Sequence, residues 1–148
     1  MNKSFFIGKA KKVFSVFLML GIFCVSFVPC VYAASKNKYT STLSFDTTCT
    51  GATRYYSGDN IQISLSTHPT NISNKDFNKS KYSKNYYITL YRKGWFWHTD
   101  KIGQGKATIL KNSTIKWSNV GSGDYYFYFS KERNGINIAS NYVVMKNY

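Results

Sequence analysis

The chain is poor in acid. Six carboxylates (Asp46, Asp59, Asp76, Asp100, Asp124 and Glu132) face 20 Lys and Arg, for a formal net charge of +14. Glycoside hydrolysis needs two carboxyl groups flanking the scissile bond. Three of the six, Asp59, Asp124 and Glu132, stand in turn-like stretches, where such residues serve the backbone of the turn. Histidine is scarcer still. His68 and His98 belong to no H-E-x-x-H motif and to no Cys/His cluster of zinc spacing. There is no glycine-rich phosphate loop, and Gly103-Gln104-Gly105 reads as a turn. Nothing marks a cofactor or a metal, and together these absences argue against an enzyme.

Long apolar runs are also missing, with one exception. Lys3, Lys9, Lys11 and Lys12 precede an apolar stretch from Val13 to Val31, and Val31-Tyr32-Ala33 then puts short side chains three residues and one residue before a cleavage point. A basic start, an apolar run and a small-residue end read as a secretory signal peptide. Residues 1–33 are expected to be removed, with cleavage after Ala33 or, as second choice, Ala34. A retained membrane anchor competes, but the stretch of 19 residues is barely long enough to span a bilayer as a helix. The remaining domain, 34–148, has 115 residues and a net charge of 16 − 6 = +10, because four lysines leave with the signal. Chains of that size fold as one domain. Cys24 and Cys30 leave too, so Cys49 stays alone and no disulfide framework can form within one chain. Cys49 is expected to be a small buried residue; a free thiol or a link to a second chain are the alternatives.

What the chain does have is alternation. In the run 117–138, Tyr125, Phe127 and Phe129 alternate with Tyr126, Tyr128 and Ser130, a period of two written in strand-favouring residues. Both faces are largely aromatic, which marks a central strand. Asn134-Gly135 follows, a hairpin signal, with Ile136 and Ile138 opening the expected return strand. Upstream, Leu43 and Phe45, then Ile61, Ile63 and Leu65, then Ile88 and Leu90 alternate with polar or aromatic partners. Thr47 to Ala52 and Asn112-Ser113 read as turns, and Thr99 to Gly105 as a connection with a short strand near Ile102. Residues 68–84 are polar and rich in Asn and Lys, and read as a long, loosely ordered surface loop. No stretch after the signal repeats its apolar residues at helical spacing. Seven to nine short strands between turns predict an all-β fold, a single antiparallel β-sandwich. Its inward set should be Leu43, Phe45, Ile61, Ile63, Leu65, Ile88, Leu90, Ile109, Trp117, Tyr125, Phe127 and Phe129.

Gly123-Asp124-Tyr125-Tyr126-Phe127 resembles the G-x-Y-x-F strand of immunoglobulin-like and fibronectin-like extracellular modules, without the paired cysteines of immunoglobulin domains. The whole mature chain, rich in Lys, Asn, Ile and Tyr, resembles the small secreted single-domain β-proteins of Gram-positive bacteria. That likeness implies an extracellular or wall-associated location and a sandwich fold. Thr48-Cys49 with Arg54 downstream is similar to the motif of sortases, cysteine transpeptidases on a β-barrel. Two departures tell against that chemistry: Phe45-Asp46 stands where Thr-Leu belongs, and both histidines follow the cysteine instead of preceding it.

Function is then expected from binding. Excess positive charge attracts polyanions through a long-range, salt-sensitive field. An anionic cell-wall polymer, a glycan, a membrane surface or a protein are the partners this suggests; no nucleic-acid-binding motif is present. The alternative is a secreted antimicrobial or toxin-like protein acting on anionic membranes. The candidate contact is Arg92, Lys93, Trp95, Phe96, Trp97, His98 and Lys101. Three large rings in a row cannot all face a core if the chain is extended there, because alternate residues point to opposite sides.

Overall fold

The structure, a computed structural model, describes residues 37–148. The expected signal peptide, with Cys24 and Cys30, lies outside the described residues. Ten strands and one short helix follow in the order β1 (Lys38–Phe45), β2 (Thr48–Thr50), β3 (Arg54–Tyr56), β4 (Ile61–Ser66), β5 (His68–Pro69), α1 (Asn74–Lys79), β6 (Asn85–Lys93), β7 (Thr99–Thr108), β8 (Asn112–Trp117), β9 (Gly123–Ser130) and β10 (Ile138–Asn147). They form two antiparallel sheets. Sheet I runs β1-β10-β4-β8, with β5 beside β10. Sheet II runs β2-β9-β6-β7, with β3 also beside β9. The fold is the all-β sandwich that the alternation predicts.

The core lies between the sheets. All twelve residues of the expected inward set are buried, and Ile61, Ile63, Ile88, Leu90 and Tyr125 are fully so. Period-two strands put one parity of each run inside, and burying those rings and branched chains is the main favourable term. At one end Tyr125 turns its hydroxyl back to the carbonyls of Val120 and Gly121, the latter at 2.9 Å. This is a tyrosine corner, the device that pins the turn before a strand in β-sandwiches.

Several local expectations are corrected. β9 and β10 do not form a hairpin: β9 is in sheet II and β10 in sheet I. The reason is that β9 is central. Its edges are filled by β6 on one side and by β2 and β3 on the other. The returning chain has no free edge to pair with and crosses to the opposite sheet. Gly135 keeps the positive φ that Asn-Gly announced (73°), but it serves this crossing. Thr48–Thr50 is a strand, because β9 offers it pairing partners at Ser130, Phe129 and Tyr128. Residues 99–108 are one strand, since β6 pairs with them throughout, apart from an irregularity between Leu90 and Tyr91. Asn112 and Ser113 belong to β8, and the turn comes earlier, at Leu110 with φ 66°.

The stretch 68–84 is ordered. Ser73 caps α1 by accepting the Asp76 N–H at 3.1 Å, and Phe77 is fully buried. The Lys84 ammonium lies 3.9 Å from the centre of the Phe77 ring and donates to the Phe77 carbonyl and to Ser80. A helix of six residues with one apolar side chain is too short to show periodicity, so one ring anchors what looks in sequence like a featureless loop. Cys49 is half-buried and free, packed against the edge of the core.

Candidate ligand-binding surface

Most strand-to-strand links change sheet. Among the described residues β6 and β7 are the one pair of consecutive strands joined as a hairpin. Its last rung is Lys93 opposite Thr99, and the loop beyond holds residues 94–98. The Gly94 N–H donates to the His98 carbonyl at 2.8 Å and closes the loop. Gly94 suits this close approach, since a Cβ there would sit 3.0 Å from that same carbonyl oxygen. Phe96 takes φ 60°, a region that non-glycine residues seldom occupy.

The consequence is an apolar tip. Trp95, Phe96 and Trp97 are 88%, 81% and 98% exposed. No other part of the described chain covers them, though the Trp95 and Phe96 rings touch each other with centroids 5.6 Å apart. Leaving three large rings in water forgoes a hydrophobic gain of several kcal/mol, on the order of 2 kcal/mol per ring. Exposed apolar clusters of this kind mark interaction surfaces.

The other candidate residues divide. Lys93 and Lys101 are exposed, and both share the outward parity of Tyr91. The His98 Nε2 pairs with Asp100 Oδ1 at 2.9 Å. Arg92 faces the other way. It donates to the Ser122 carbonyl at 2.8 Å, packs over the Tyr125 ring at 5.8 Å, and runs against Gly123, where a Cβ would meet its Nε at 3.0 Å. Arg92 therefore braces the corner at the end of the sandwich, and the structure separates it from the tip.

A second surface adjoins the tip and was not singled out in sequence. Tyr91 and Tyr126 stack at 5.2 Å on the outer face of sheet II, and Tyr128 meets Tyr91 edge-on at 6.3 Å. With Thr50 and Thr99 they line an open hollow of about 380 Å³. Tyr87, farther along β6, is 45% exposed. The signal was present: Tyr87, Tyr91, Tyr126 and Tyr128 stand at outward positions of β6 and β9, among the polar residues expected of a solvated face. Parity alone does not tell such a face from a second buried one, because tyrosine also fills cores, as Tyr56, Tyr86 and Tyr125 do here.

A larger hollow, about 550 Å³, lies elsewhere, on the outer face of sheet I. Ser64, Ser66, Asn112, Ser113, Thr114 and Asn141 give it a hydroxyl and amide lining, and His68 is its one titratable side chain besides Tyr142. Cys49 and Arg54 share a smaller cleft of about 200 Å³ whose lining includes no histidine or carboxylate. No group of three or more His, Cys, Asp or Glu side chains gathers among the described residues. No protein-family model matches the sequence, and no curated protein matches it significantly.

Proposed function

We propose that this is a secreted, basic protein that acts by binding at the cell envelope or another extracellular surface, without chemistry of its own, and that the β6–β7 tip is its principal contact. The exposure of Trp95, Phe96 and Trp97 carries this reading. The charge supports it. No Lys or Arg side chain forms an ion pair with a carboxylate among the described residues, so the lysines and arginines keep their field free to draw an anionic partner. An anionic wall polymer, a glycan, an anionic membrane surface or a protein bearing acidic groups fits the combination of flat rings and cations.

Trp95→Ala with Trp97→Ala tests it, by measuring melting and retention on isolated bacterial walls together. Lost retention with melting unchanged supports the contact. A large fall in melting temperature, with binding per folded molecule intact, returns both residues to a structural role.

A further inference from the structure

We infer that the tip seats in the interfacial layer of an anionic lipid bilayer, with Trp95, Phe96 and Trp97 among the headgroups and upper acyl chains and Lys93 and Lys101 at lipid phosphates. This names the partner of the contact proposed above and rests on that reading.

Shape is the first argument. The three rings crown the end of a hairpin, beyond its last rung at Lys93 and Thr99, so the apolar surface is convex. A convex knob cannot enclose a small ligand, and a flat rigid partner would meet one or two of the rings. A fluid interface can close around all three. Composition agrees, since tryptophan settles at the membrane–water boundary.

The backbone sets the depth. The N–H groups of Trp95, Phe96 and Trp97 make no hydrogen bond among the described residues, while those of Gly94 and His98 close the loop on the His98 and Trp95 carbonyls. An unsatisfied N–H is costly in hydrocarbon and harmless where water reaches it. The tip therefore stops at the headgroup boundary, which makes it an anchor and not a spanning element.

Charge selects the lipid. The strands of sheet II carry Arg54, Arg92, Lys93, Lys101 and Lys106 against two acids, Asp100 and Asp124. Asp100 is occupied by His98, and neither Lys93 nor Lys101 has a carboxylate partner. A lysine at an anionic membrane surface strengthens binding by roughly fivefold.

The molecule carries its own reporter. Trp117 is buried and packs against Phe127 at 5.8 Å, so a change in tryptophan emission on adding vesicles reports on Trp95 and Trp97. With phosphatidylglycerol vesicles the emission shifts to the blue and acrylamide quenching falls; with phosphatidylcholine vesicles both changes are small. Brominated lipids quench most when the bromine lies near the headgroup. In flotation with phosphatidylglycerol vesicles, Trp95→Ser with Trp97→Ser binds at least roughly tenfold more weakly, whereas Trp95→Phe with Trp97→Phe retains binding. Lys93→Glu with Lys101→Glu weakens partitioning into phosphatidylglycerol by roughly 25-fold or more. Unchanged emission with phosphatidylglycerol overturns the proposal, as does a double serine variant that floats as well as the parent. Retention on isolated walls through Trp95 and Trp97, without any response to vesicles, removes the lipid and leaves the contact standing. Failure of both assays removes both.

Discussion

The ammonium of Lys131 donates to the carbonyl of Asp46 at 2.6 Å, tying the link that leaves β9 to the link that leaves β1. The same ammonium reaches the Glu132 carbonyl and Asn134 Oδ1, each at 2.9 Å. Three protons meet three acceptors on a residue that is 8% exposed. Burial lowers its pKa, and the charges of Asp46 and Glu132 pull the other way. Lys131 thus stands where the chain would have turned into a hairpin and holds the crossing between sheets.

Replacing Lys131 by Met keeps the apolar stem and removes all three donors. The acceptors around it lose their partner, at a cost of about 1–3 kcal/mol. The urea midpoint should fall with its slope unchanged. An unchanged midpoint would show that water serves those carbonyls equally well.

Phe127 sits between Trp117 and the centre of sheet II and is 2% exposed. Truncation to Ala should remove about 3–5 kcal/mol of stability, a large share of what a small domain has. Chemical denaturation measures it, and a loss under about 1 kcal/mol would contradict the face assigned to this strand.

Alkaline pH should unfold the protein through its buried tyrosines. Burial pushes the Tyr86 phenol from the ordinary 10.0 up to about 12, with the Thr67 hydroxyl opposing, and raises Tyr56 and Tyr125 as well. The unfolded chain releases these protons near the ordinary value and the folded chain later. Their contribution is therefore fully present below pH 10.0 and is lost as pH rises toward about 12. Lys131, lowered by burial, works in the opposite direction just below its ordinary 10.5, where stability gains with pH. Melting followed from neutral to alkaline pH should show the decline begin near 10, and Tyr86→Phe should make it shallower.

The tip should be free of any folding role. Trp95→Ser with Trp97→Ser removes two rings that touch no core residue, so unfolding free energy should move by less than about 0.5 kcal/mol. Thermal melts of parent and variant decide it, and a drop of several degrees would mean that the rings pack against the domain in solution.

Which residues face inward was legible in the sequence because strand parity is local. Leu43 and Phe45, the Ile61-Ile63-Leu65 run and the Tyr125-Phe127-Phe129 run each carry their own period, and a half-buried strand has one way to satisfy it. The exposure of at least one ring at 95–97 followed from the same rule. That all three are exposed did not, since it depends on Phe96 entering the left-handed region and on the Gly94–His98 closure.

Pairing was beyond local reading. Asn134-Gly135 is the same dipeptide whether the chain folds back on β9 or crosses over, and only the prior occupation of both β9 edges decides between them. The order in 68–84 depends on Phe77 finding the core and on Lys84 reaching back over its ring. Arg92 and Lys93 are neighbours in sequence, yet sheet pleating sends one to brace the Tyr125 corner and leaves the other beside the tip. The sequence by itself determined the period, the charge and the core-forming residues, because each is a property of a few neighbouring side chains. The tertiary structure alone decided which edges were free and which rings found cover, because both depend on contacts between residues far apart in the chain.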